Sequence, residues 1–184
     1  MMNKKIKSIT LIELLISVAI VSIMILSFYS IDTFSRNQVL NSDRRVKLQN
    51  ELSYALEHMG KYLQQGIGNN SIAANQGIQL QGNGFQVRVD FNNPQTPSVF
   101  TDDGWVRYMR AGNNLNVDCT GICGSFVAET LSSKVTVFTS QIADNGASIN
   151  IYLAGLYIPG QAFSLRNPQA EIRTELNCGS CSIN

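Results

Sequence analysis

The sequence has 184 residues, room for one compact domain and an extra element, and 44% of them are hydrophobic, enough for a core. Only 15% are charged, against about 25% in an ordinary soluble domain, and a net charge of +1 offers no basic field for nucleic acid. With a single histidine, no glycine-rich phosphate loop and no Gly-x-Ser-x-Gly, the chain lacks the makings of a catalytic triad or a histidine-rich metal site, so it reads as a non-enzyme with no cofactor.

The chain opens with Lys4, Lys5 and Lys7 and no acid before Glu13. From Leu14 to Ile31 run 18 residues without charge, proline or glycine. Counted from Ile9 the apolar segment is about 34 Å long as a helix, against a hydrocarbon core of about 30 Å. It is therefore expected to span a bilayer once, with its basic end in the cytoplasm and everything after Ile31 outside. A secretory signal peptide would be shorter, about 7–15 apolar residues, and would end at a small-residue cleavage site, which this run lacks. An uncleaved signal anchor fits all but Glu13, since a carboxylate in a spanning helix costs a few kcal/mol and marks a functional candidate. Its bland reading is an acid at the membrane interface.

Lys7-Ser8 followed by Ile9-Thr-Leu-Ile-Glu-Leu-Leu-Ile-Ser-Val-Ala-Ile-Val21 resembles the type IV prepilin signature of pilins and type II secretion pseudopilins. The resemblance implies a leader, residues 1–8, cut after Ser8 by a membrane aspartic prepilin peptidase. Ile9 would become the methylated N-terminus. Glu13 would be the acid that pairs with a new α-amino group and sets subunit register. Residues 9–31 would be the transmembrane and filament-core helix. Ser8 stands where the family usually has Gly, and Ile9 where it has Phe or Met. Implied partners are other pilin or pseudopilin subunits, the peptidase, an inner-membrane assembly platform and the membrane itself. The implied location is the inner membrane, with the ectodomain outside the cytoplasm, and then a pilus or periplasmic filament.

Helical periodicity continues past the apolar run. Leu48, Leu52, Ala55, Met59 and Tyr62, with Leu56 and Leu63 beside them, form one stripe for packing on a domain. His58 is expected on the helix surface with no chemical role. Gly66, Gly68 and Asn69-Asn70 are expected to end the helix, so that residues 32–68 form its amphipathic half. Residues 69–184 are expected to be a β-rich globular domain. There the period changes to two: Phe85 to Phe91, Val135 and Val137, Ile149 to Leu153, and Ala170 to Leu176, with Trp105 to Met109 and Asn114 to Val117 as shorter strands. Gly82-Asn-Gly84, Asp144-Asn-Gly146, Pro159-Gly160 and Asn167-Pro168 supply turns. A long helix and then a meandering antiparallel sheet is an α+β order that looks like the pilin fold. Leu48 to Leu56, Val106-Arg-Tyr108, Leu131 to Phe138 and Asn167 to Thr174 loosely resemble W-like minor pilins and J-like minor pseudopilins, which implies a minor subunit.

Cys119, Cys123, Cys178 and Cys181 form two close pairs in the sequence. Disulfides are the commoner outcome outside the cytoplasm, with three pairings open; four thiolates on zinc is the alternative. Cys178-Gly-Ser-Cys181 does not open a helix after a strand, so a redox role is not expected. Asp102-Asp-Gly104 and Asp144-Asn-Gly146 are expected to be turns rather than calcium loops, for want of a D-x-D-x-D-G pattern. The sequence thus supports a filament subunit that starts or caps a pilus. A type II secretion pseudopilin and a signal-anchored protein with an adhesive ectodomain remain as alternatives.

Overall fold

A computed structural model describes residues 10–69, 72–96 and 98–182. It has the expected α+β order: one helix, α1 (Leu11–Gln64), followed by antiparallel sheets. The chain divides into two compact units after Leu40.

In the first unit the described residues after Thr10 are all helical, and every side chain from Leu11 to Leu40 is exposed. Neither proline nor glycine interrupts the helix before Gly60.

The second unit begins with residues 41–64 of α1. Leu48, Leu52, Ala55, Met59 and Leu63 are fully buried, as the stripe predicts, and Leu56 nearly so. They face two antiparallel sheets. The larger has β2 (Ile78–Gln81), β3 (Gly84–Val89), β4 (Gly104–Ala111), β5 (Asn114–Gly121) and β6 (Glu129–Ser132), in that order. The smaller has β7 (Val135–Ala143), β8 (Ser148–Leu156) and β9 (Gln169–Asn177). Phe85, Val87, Val106, Tyr108, Leu115 and Val117 from the first and Ile149, Ile151 and Leu153 from the second join the helix stripe in one core. Their alternation along each strand is what puts them on one face. A polar clamp stands beside this core: Glu51 on α1 accepts from Ser132 Oγ at 2.7 Å and from Lys134 Nζ at 2.5 Å. Burial pushes the Glu51 carboxyl up, but these two donors outweigh it and hold the group below its ordinary range.

The helix stops at Gln64, earlier than the glycines suggest, and Ile67–Asn69 is a strand, β1. It pairs in parallel with β10 (Ser180–Ser182), Ile67 opposite Ser180. The last turn of α1 is closed from the same place: Leu63 O accepts from Gly66 N at 3.0 Å and from Gly179 N at 2.9 Å. Helix-end carbonyls need such partners. Gly66 serves here through closeness rather than through its own torsion, because a Cβ on it would lie 2.6 Å from Cys178 Sγ and 2.9 Å from Val87 Cγ2. The Asp144-Asn145-Gly146 turn has all three residues at positive φ (46°, 54° and 96°), a conformation that these residue types tolerate best.

Candidate functional site: the apolar helix and its acid

Thr10 caps α1. Its backbone N–H and its hydroxyl each donate to Glu13 Oε2 at 3.0 Å, while Glu13 N–H donates to Thr10 Oγ1 at 3.3 Å. This is a capping box, Thr-x-x-Glu. Its spacing is visible in the residues, but there it is absorbed into the prepilin-like string that contains Thr10-Leu-Ile-Glu13. Among the described residues Glu13 Oε1 accepts no hydrogen bond, so one carboxylate oxygen is left for another donor.

Beyond Glu13 the surface is apolar. Leu14, Leu15, Ile16, Ile23, Ile25 and Leu26 are each more than half exposed. An 18-residue window of α1 is apolar enough to cross a membrane, and none of it is buried. Soluble monomers do not expose continuous apolar patches of this size. The four serines of the segment are satisfied locally: Ser17, Ser22, Ser27 and Ser30 donate to the carbonyls four residues earlier at 2.7–2.9 Å. A side chain bonded to its own helix leaves no polar atom that needs water. Among the described residues ion pairs start only after Ile31, with Asp32–Arg36 and Asp43–Lys47, each at 2.9 Å.

A one-acid apolar helix of this kind, with lysines before it, can lie in lipid or in the core of an assembly of like helices. The comparison with known families bears on this choice. Residues 3–29 carry the prokaryotic N-terminal methylation motif. The motif is the signature of type IV pilins and pseudopilins. The methylation motif covers 27 of the 184 residues and contains Ser8, Ile9 and Glu13. No curated protein and no solved structure matches the chain. Ser8 and Ile9, the expected cleavage and methylation positions, lie outside the described residues. The methylation motif suggests a structural subunit.

The cysteines form two disulfides, Cys119–Cys123 beside the β5 end and Cys178–Cys181 next to β10. Zinc would need all four as thiolates, and the two pairs sit on different elements. Among the described residues no group of three or more His, Cys, Asp or Glu is placed to hold a metal ion.

His58 is not the surface residue expected from the sequence. Its side chain is 14% exposed, with Nδ1 3.0 Å from Tyr108 Oη and Nε2 3.5 Å from Glu129 Oε1. Burial lowers its pKa and the Glu129 carboxylate opposes that. The helical period alone could have placed it, since Tyr62 of the stripe follows four residues later and packs against its ring, centroids 5.1 Å apart.

Asp103, expected in a turn, is buried just before β4. Neither of its carboxylate oxygens has a hydrogen-bond partner, and neither do Nε and Nη1 of buried Arg88. Arg88 stacks on Trp105 and Phe100 and donates to Ala74 O at 2.8 Å. Asp90 spends its oxygens on the loop backbone, accepting from Asn92 N at 2.8 Å and from Thr96 N. Burial first, and then the Asp90 charge, push Asp103 up to about 6, with Arg88 opposing and Asp102 adding to the rise. A folded pKa above the unfolded value means that the contribution is complete at low pH and is lost as pH rises through about 6. His58 has the opposite sign: its folded pKa is lowered, so stability is lost as pH falls below 6.5. Asp103→Asn isolates the first. In urea titrations of the detergent-solubilised chain, the variant should be the more stable at pH 7.5, and the difference should shrink as the pH falls toward about 4. A difference that stays constant with pH would assign the effect to something other than ionisation of Asp103.

Proposed function

We propose that this chain is a pilin-type subunit, made as a precursor and packed into a filament. The observation that carries the reading is the methylation motif on an apolar helix whose side chains are unpacked from Leu11 to Leu40. The peptidase cuts after Ser8, residues 1–8 are lost, and Ile9 is methylated. Residues 9–31 hold the subunit in the inner membrane until assembly, with the rest of the chain outside the cytoplasm. Residues 32–68 and 69–184 form the stem and the β-rich head. The α-amino group of Ile9 takes the open oxygen of Glu13, from the same subunit or from its neighbour, and a wrong stagger leaves a charge unpaired in an apolar setting. Other subunits and the inner-membrane assembly platform are its partners.

Within this reading we assign a minor subunit at initiation or at the tip of a pilus, on the loose resemblance of the second half to minor pilins. A secretion pseudopilin uses the same parts. The test is intact mass. In cells with a prepilin peptidase the mature chain should begin at Ile9 and carry one added methyl group. In a peptidase-deficient strain it should begin at Met1 or Met2. A chain that retains residues 1–8 in both strains would refute the filament assignment and leave the signal-anchored alternative.

A further inference from the structure

The segment joining β8 to β9, residues 157–168, is an ordered loop with an apolar tip. Phe163 and Leu165 are 67% and 70% exposed, and Ile158 is exposed beside them. The order comes from Asn167, which is 2% exposed. Its Oδ1 accepts from Ile158 N at 2.7 Å, and its Nδ2 donates to the carbonyls of Ile158, Gln161 and Ala162 at 3.0–3.2 Å. Asn167 and Ser164 also exchange both backbone hydrogen bonds. One buried amide therefore holds the loop in shape, and the loop in turn leaves two large apolar side chains in water. Burying them in the core is not what the loop is built for.

The surroundings are basic. Arg44 donates to Arg166 O and sits 5.4 Å over the Tyr157 ring, with Lys134 Nζ 5.1 Å over the same ring. Asp43 neutralises Lys47 and Glu51 neutralises Lys134, but Arg44 and Arg166 make no ion pair among the described residues. The loop itself, Tyr157 to Pro168, contains no acid.

We propose that the 157–168 loop is a second, reversible membrane contact: Phe163 and Leu165 enter the headgroup and upper acyl region of a bilayer while Arg44 and Arg166 meet anionic headgroups. An exposed aromatic and an aliphatic side chain on an ordered turn, with two guanidinium groups nearby that make no ion pair among the described residues and no carboxylate in the loop, match that boundary in polarity and in charge. One apolar hook gives weak binding alone, and a basic patch supplies the second signal. Tethering by the apolar helix keeps the loop at high effective concentration near the same membrane, so weak affinity suffices. The inference rests on the membrane-anchored reading above.

The test uses the full chain in nanodiscs, with Phe163→Trp as the reporter and the parent, whose one tryptophan is the partly buried Trp105, as the reference. In discs containing phosphatidylglycerol, emission from the indole added by Phe163→Trp should be blue-shifted and quenched by lipids spin-labelled near the headgroup. The parent emission should not be quenched. Replacing phosphatidylglycerol with phosphatidylcholine, adding salt, or adding Arg166→Gln should each reduce the quenching. Leu165→Trp serves as an independent reporter should Phe163→Trp misfold. Emission typical of exposed indole, insensitive to the labelled lipids, would overturn the proposal. So would a blue shift that grows with protein concentration in detergent, because it would assign the tip to a second copy of the chain. A chain that fails to co-migrate with the discs would refute the anchored reading as well, and so the two failures are distinguishable.

Discussion

Glu13→Ala should leave the protein in the membrane at normal level and largely processed after Ser8, yet reduce its recovery in filaments to background. Removing a carboxylate from an apolar helix makes insertion easier, not harder. The globular core is untouched, because the buried stripe begins at Leu48. On the proposed pairing, what is lost is the acid for the amine of Ile9. The capping box adds a control, since Glu13 also holds Thr10 N–H and Oγ1. Glu13→Gln keeps an acceptor for the cap and removes the charge; Thr10→Ala does the reverse. Glu13→Gln should assemble as poorly as Glu13→Ala, and Thr10→Ala should assemble well. If Thr10→Ala is the defective one and Glu13→Gln is not, the cap matters and the charge does not. Loss of Glu13→Ala from the membrane would place the role of the acid at insertion instead.

Leu52→Ala should cost about 2–5 kcal/mol of folding stability, a large share of the roughly 5–15 kcal/mol that a domain of this kind has. Leu52 is fully buried in the core that the α1 stripe shares with the two sheets. Tyr54, two positions on and 51% exposed, is the matched control. Tyr54→Ala should change the urea midpoint little, within about 0.5 kcal/mol. Equal effects at the two positions would mean that burial does not govern the cost of substitution in this part of α1.

Much of this is legible from the residues because two periods carry it. The apolar run and the Leu48–Leu63 stripe follow helical spacing. Phe85, Val87 and Val89, like Ile149, Ile151 and Leu153, alternate as a half-buried strand must. The pairing of β1 with β10 is not legible. Each has only three residues, and their partners lie over a hundred residues apart, so neither shows a period. His58 misleads because a polar type on a helix reads as its exposed face, while Tyr108 on β4 offers it a buried partner. Asp103 escapes because its burial comes from the loop leading into β4, and nothing in Asp102-Asp-Gly104 itself differs from an ordinary turn.

The pairing of β1 with β10 also sets an order of events. The end of α1 is sealed in part by residues 179 and 180, which on the proposed topology would be the last of the paired segments to cross the membrane. Until those residues arrive, Leu63 O has Gly66 N but not Gly179 N as a partner, and β1 lacks β10. Contacts so distant along the chain are slow to find. If the proposed topology holds, a subunit drawn toward a growing filament before residue 180 had emerged would arrive without the β1–β10 pair.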